Sequence, residues 1–221
     1  QLKNFKLANF TIQNSNNTAG IDISYCGFFN LENIKISSCD QKGLRIIGSS
    51  DYILLNVIST TNTGNGFEFT GNSTDGNYRF TITQCYSLSN TGKGFLFTNS
   101  NSSSLKHFNM INCIAESNTG IGIDFNSSVA ASFLLGKLTG CTSTNNNADG
   151  INVDSASGYL SFVGCVSNSN DGVGSDGFTI AGHNIQLIGC MAESNQGLDY
   201  NITSAASDIA MIGNVITPSS T

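Results

Sequence analysis

Apolar residues recur in pairs one residue apart along the whole chain: Tyr52 and Leu54, Phe80 and Ile82, Phe95 and Phe97, Phe108 and Met110, Leu160 and Phe162, Phe178 and Ile180. A period of two predicts short strands with one buried face, and no stretch carries the i, i+3, i+4, i+7 spacing of an amphipathic helix. Gly- and Asn-rich clusters such as Ser89-Asn90-Thr91-Gly92 separate the alternating stretches and predict turns. The same order of strands and turns returns at a fixed interval. Cys85-Tyr-Ser-Leu-Ser-Asn-Thr-Gly-Lys-Gly-Phe-Leu-Phe97 is followed 28 residues later by Cys113-Ile-Ala-Glu-Ser-Asn-Thr-Gly-Ile-Gly-Ile-Asp-Phe125, and after another 28 by a copy beginning at Cys141. Further copies start at Cys165 and Cys190, Val57 and Ile34 take the Cys position earlier, Phe10 does so less cleanly, and a degenerate copy ends at Asn214.

About nine copies of 23 to 28 residues therefore cover residues 1–221 as one domain. Each copy holds two or three strands and no helix, and it cannot bury its apolar face alone. Stacked copies can, so the expected fold is all-β, a solenoid of about nine turns and roughly 43 Å at about 4.8 Å per rung. Five residues after the Cys column stand Asn62, Asn90, Asn118, Asn146, Asn170 and Asn195, with Cys39 as the early exception. An Asn tolerates left-handed geometry in a turn, and its amide can bond to the rungs above and below. This column resembles the asparagine ladder of single-stranded right-handed parallel β-helices, the pectate-lyase-like superfamily. The resemblance implies the fold and is silent on chemistry, because that fold hosts lyases, hydrolases, epimerases, adhesins and viral spikes.

Cys85, Cys113, Cys141, Cys165 and Cys190 form one inward column, read as a buried stack of free thiols acting as small hydrophobes. Converging C-x2-C spacings are absent, so no metal site is expected, and parallel side-chain vectors do not favour disulfides between rungs. Reduced thiols point to folding in a cytosol-like compartment. The chain has 9 Lys and Arg against 15 Asp and Glu, a net charge of −6, and two arginines, Arg45 and Arg79. No basic stripe can follow a phosphate backbone, which excludes an electrostatic nucleic-acid binder. No apolar run reaches the roughly 18 residues of a membrane span. No cofactor signature is present. The chain begins inside patterned sequence without a visible signal peptide, as expected of a domain cut from a longer protein.

Chemistry on a solenoid sits on outward columns. One such column, between the apolar pair that follows each Gly, reads Asp22, Arg45, Glu68, Leu96, Asp124, Asn152, Thr179 and Asp199. Glu68 and Asp124 lie two rungs apart, about 9.6 Å at 4.8 Å per rung, with Asp154 nearby on the next rung. Carboxylates roughly 6.5–9.5 Å apart suit inverting glycoside hydrolysis, so Glu68, Asp124 and Asp154 are the candidate catalytic acids, against the plainer reading that they are solvated surface charges. No tight Asp cluster is visible, and neither arginine shares a rung with an obvious Asp pair, which favours hydrolysis over elimination. A second outward column, one residue after the Cys column, holds Ile58, Tyr86, Ile114, Val166 and Met191. Leu55, Thr83, Ile111, Thr139, Val163, Ile188 and Ile212 stand two residues before the Cys column. If the strand kinks between them, both face out as an apolar stripe suited to another copy of the chain; otherwise one turns into the core. The loops 71–76, 99–104 and 171–177 are the longest insertions and lack Trp.

The Asn/Ser/Thr-rich surface, the free thiols, the missing export signal and the apolar stripe together resemble the β-helical shaft of phage tailspikes and tail fibres. That resemblance implies a homotrimer on a virion tail, assembled in the host cytoplasm, that binds and in many cases cleaves host surface polysaccharide. The alternatives are a secreted bacterial polysaccharide lyase or hydrolase, and a non-enzymatic adhesin or structural rod.

Overall fold

A computed structural model describes residues 2–16, 18–71, 76–99, 105–127 and 133–216. Among these residues the chain forms 24 strands and no helix, so no helix is long and apolar enough to cross a membrane. The strands pair in parallel with the copies before and after. Eight of them, from Ala19–Ser24 to Tyr200–Ile202, form one sheet, hereafter the third face. The others form a longer sheet folded into a first and a second face. In the first three turns one strand crosses both faces, as in Ser50–Thr60; in later turns it is split, as in Tyr78–Thr83 and Tyr86–Leu88. Eight complete turns result, and Ser207–Ile212 with Val215–Ile216 begins a ninth, slightly fewer than the repeat count predicts.

The bends between faces have one cause. Tyr52, Leu54, Val57 and Ser59 point inward and Ile53, Leu55, Ile58 and Thr60 outward, while Asp51, Asn56 and Thr61 have φ of 56°, 51° and 52°. Each coil therefore runs as four alternating residues and one left-handed residue, and each left-handed residue turns the strand. The pattern recurs on nearly every rung. Directly before the Cys column the left-handed position holds Asn9, Asn33, Asn56, Gln84, Asn112, Gly140, Gly164, Gly189 and Gly213. The ladder asparagines themselves are not left-handed, contrary to the sequence expectation. That conformation falls on the residue before each, Ser38, Thr61, Ser89, Ser117, Asn145, Ser169 and Ser194, and leaves the next side chain pointing inward.

The ladder is otherwise as expected. Asn90 Oδ1 accepts from the Asn62 backbone N–H at 3.0 Å and from Asn62 Nδ2 at 2.9 Å, and the arrangement repeats from Asn118 through Asn146 and Asn170 to Asn195. Buried Ser59, Ser87, Ser143 and Ser167 donate to the carbonyls of Gly66, Gly94, Gly150 and Gly177 as the chain enters the third face. Gly occupies those entries because the next rung leaves no room for a side chain: a Cβ on Gly66 would lie 2.1 Å from Ser87 Oγ, and one on Gly94 2.4 Å from the Gly122 carbonyl oxygen. Stacked rings fill the core, Phe5, Phe29, Tyr52, Phe80 and Phe108 at centroid spacings of 4.8–5.2 Å, and Phe69, Phe97 and Phe125 at 4.8–4.9 Å. Fully burying one such ring contributes about 1.5–3 kcal/mol. The five-cysteine column is buried and all seven cysteines are free.

Candidate functional site

The outer surface of the third face carries the candidate acids. Its central column reads Asp22, Arg45, Glu68, Leu96, Asp124, Asn152, Thr179 and Asn201. Asn201, not Asp199, ends it; Asp199 turns inward and accepts from Asn195 Nδ2 at 3.1 Å. Glu68 and Asp124 share the column two rungs apart, with Leu96 between them.

Neither acid is freely solvated. Glu68 is 7% exposed and accepts from Lys42 Nζ at 2.7 Å, Asn65 Nδ2 at 2.8 Å and Thr70 Oγ1 at 3.4 Å. Asp124 has no exposed surface; it is ion-paired with Lys93 and accepts from Asn152 Nδ2 at 2.7 Å. Lys42 and Lys93 occupy equivalent positions, three residues ahead of the central column, and each reaches across to an acid of the following rung. Sequence reasoning missed both lysines. The signal was their shared place in the repeat. The arginines are also paired, Arg45 with Asp22 and Arg79 with Asp51.

Asp154 follows the strand Ile151–Val153 and is half-buried. Its Oδ2 accepts from Ser127 N–H at 2.7 Å, and its Oδ1 meets Ala156 N–H at 3.2 Å and Ser157 Oγ at 2.8 Å. Desolvation raises its pKa above the ordinary carboxylate value and the Asp124 charge adds to the rise, while the three donors oppose it. Ser157 Oγ also lies 3.2 Å from the Phe125 carbonyl, which can only accept. Asp154 is thus a carboxyl suited to hold a proton beside an ion-paired carboxylate.

Towards the C-terminal rungs the lysine positions become acids. Asp149 and Asp176, separated by 27 residues in sequence, meet at Thr179 Oγ1, 2.8 and 3.3 Å from their carboxylates. Asp176 also accepts from Leu198 N–H and Asn201 Nδ2, both at 2.6 Å. The repeat brings together in this pair two residues that sequence distance hides. Among the described residues no three His, Cys, Asp or Glu side chains converge into a metal-binding group. Most of loops 71–76 and 99–104 lies outside the described residues.

At the corner between the first and second faces the kink before the Cys column is real, so the apolar columns on either side of it both point outward. Ile58, Tyr86, Ile114, Val166 and Met191, with Leu55, Ile111, Val163 and Ile188, are each half-exposed.

No protein-family model and no curated protein sequence matches the chain. Solved structures do. A rhamnogalacturonan lyase superposes with a TM-score of 0.62 at 15% identity over 97% of this chain and 61% of its own length. The protein ORF18 of Geobacillus virus E2 gives 0.61 at 14% over 95% and 50%, and pectate lyase Pel9A gives 0.57 at 14% over 86% and 57%. This chain is a right-handed parallel β-helix. It spans about half to three-fifths of the length of these three structures.

Proposed function

We propose that this β-helix is a tailspike-like domain of a virion tail that assembles as a homotrimer and binds host surface polysaccharide. In this reading the outer surface of the third face hydrolyses the chain it binds. The observation that carries the chemical step is Asp154, half-buried and with a pKa raised by desolvation as suits a proton donor, beside Asp124, which is ion-paired with Lys93. One rung and two positions separate them, about 7–8 Å between backbones. Inverting acid pairs hold their carboxyl groups roughly 6.5–9.5 Å apart, a spacing that side chains on backbones this close can reach. Asp154 then protonates the leaving glycosidic oxygen and Asp124 activates the water, with part-exposed Lys93 moving aside as substrate enters. Glu68 flanks the pair as a second anion held by Lys42. Support for a polysaccharide partner comes from the names of the fold's solved neighbours, pectate lyase, rhamnogalacturonan lyase and mannuronan C-5 epimerase; a virus protein among them supports the setting.

Lys42 and Lys93 favour a second reading, elimination on a uronate polymer, because a cation beside the acids can neutralise the sugar carboxylate. Reducing ends and unsaturated-sugar absorbance, followed together on a panel of bacterial surface polysaccharides, separate the two. We expect reducing ends alone, and a rate about 10²–10⁴-fold lower in Asp154→Asn. Absorbance in step with the reducing ends selects elimination. An Asp154→Asn variant that cleaves at the parental rate removes the acid assignment, and no cleavage of a polysaccharide that binds leaves a binding rod.

A further inference from the structure

Three columns of left-handed residues turn each coil, and one of them alone admits bulky apolar side chains. Two use residues that ease positive φ or bond locally: Asn and Gly before the Cys column, Ser, Thr and Asn before the ladder. The third, six residues before the Cys column, holds Asn4, Asp51, Asn184 and Asp208 but also Phe28, Arg79, His107, Leu135 and Tyr159, these five with φ between 49° and 58°. A bulky apolar side chain in this conformation is a genuine outlier. Leu135 and Tyr159 moreover bury little, at 65% and 42% exposed, so core packing does not explain them. They are neighbours on successive rungs, because Gly136 pairs with Leu160. The Tyr159 ring is held edge-on by His183, at a centroid distance of 5.5 Å and 85°. Strain and exposure combined on adjacent rungs suggest selection for what these side chains present to the outside.

They flank a groove of about 510 Å³ on the first face, around the corner from the acids. Its floor is a straight row of Asn109, Lys137, Ser161 and Gln186, one per rung by the strand register. Among the described residues these four side chains make no hydrogen bond or ion pair within the chain, unlike the saturated acids of the third face. An apolar ring and a branched aliphatic knob beside a line of amide, hydroxyl and ammonium donors match the C–H face and hydroxyl edge of sugars. The row parallels the solenoid axis at about 4.8 Å per rung, which suits an extended chain rather than a single sugar. One lysine in a protein of net charge −6 argues for an uncharged polymer.

We propose that this groove is a second polysaccharide-binding site for an uncharged glycan chain, with Tyr159 and Leu135 as its anchors. It rests on the polysaccharide reading above but needs no cleavage. The test is affinity electrophoresis of the whole chain in gels containing dextran, galactomannan, neutral bacterial O-polysaccharides or polygalacturonate. The variants are Leu135→Asn and Tyr159→Asn, because Asn accepts the left-handed backbone better than either native residue. We expect retardation in a neutral gel that weakens about tenfold in each variant, with no fall in melting temperature. Loss of binding without loss of stability cannot come from misfolding. Equal retardation of both variants and parent overturns the site, as does retardation in polygalacturonate alone or in no gel. Retardation abolished by Asp154→Asn but untouched by both groove variants also overturns it while sparing the proposed function. A change in oligomeric state in place of binding assigns the face to contact between copies and overturns the site equally.

Discussion

Each cysteine of the column does more than fill space. Cys85, Cys113, Cys141, Cys165 and Cys190 each place Sγ 3.4–3.8 Å from the carbonyl two residues back, at the bend the preceding residue makes. A thiol is the small, nearly apolar donor such a buried bend accepts, which Ala or Val cannot supply. Neighbouring sulfurs interact along the stack. For Cys141 and Cys165 the contact with the sulfur of the preceding rung is the main cause of a pKa pushed up to about 12, with desolvation behind it. Desolvation comes first for Cys113, and the Cys165 contact for Cys190; both are raised too. A raised folded-state pKa stabilises the fold fully below the unfolded value of 9.0. Above it the unfolded chain releases protons that the folded chain retains until about pH 12. Stability should therefore fall with rising pH from about 9, by about 1.4 kcal/mol per thiol per pH unit. Urea midpoints between pH 8 and 10.5 test this. A Cys141→Ala, Cys165→Ala variant should show a shallower fall, and a parental midpoint that stays flat to pH 10.5 would refute the linkage.

The asparagine ladder is the element most exposed to a single substitution. Asn118 accepts from the Asn90 N–H and Nδ2 at 3.1 Å each, and donates to the Ser87 carbonyl at 3.1 Å and Asn146 Oδ1 at 3.0 Å. Asn118→Ala would strand buried groups on both neighbouring rungs, at about 1–3 kcal/mol for each donor or acceptor left unpaired. Asn214, partly exposed near the end of the solenoid, bonds the Cys190 N–H and the Leu187 carbonyl where water can substitute. Asn214 stands in the Cys column of the last rung and serves as the part-exposed reference: Asn214→Ala should cost less than Asn118→Ala, chemical denaturation measures the difference, and equal losses would show that burial in the ladder adds nothing. The ladder, the Cys column and the paired core positions were legible because every rung repeats one environment and so repeats one residue type. The bends were not. Phe28, Asp51, Arg79, His107, Leu135 and Tyr159 share a backbone conformation and no chemistry, so no column of like residues marks them. The site was half legible for the same reason. Glu68 and Asp124 stand in an obvious column, whereas Lys42 and Lys93 bind them from 26 and 31 residues away, diagonally across rungs.

The whole molecule presents two surfaces of opposite character. The third face is crossed by paired charges, whereas the corner between the first and second faces carries an apolar stripe, from Leu55 and Ile58 through Ile111 and Ile114 to Ile188 and Met191. Between the two columns runs the bend itself, occupied in its C-terminal half by Gly140, Gly164, Gly189 and Gly213. A Cβ added at Gly164, Gly189 or Gly213 would meet nothing within 4 Å. The bend there is bare backbone flanked by aliphatic side chains, a surface another solenoid can approach closely. A straight stripe parallel to the solenoid axis suits copies arranged about a common parallel axis, and the proposed homotrimer places three such stripes together. Carboxylates introduced into the stripe would face their own copies across that axis, unpaired and desolvated, which few interfaces withstand. Light scattering on the parent should give three times the chain mass of 23.3 kDa, and an Ile114→Asp, Val166→Asp variant should give the single-chain mass with its β-sheet circular dichroism intact. Because the acids lie on another face, the monomeric variant should keep its cleavage rate per chain. A parent that is monomeric at micromolar concentration would remove the trimer and leave the stripe to a different partner.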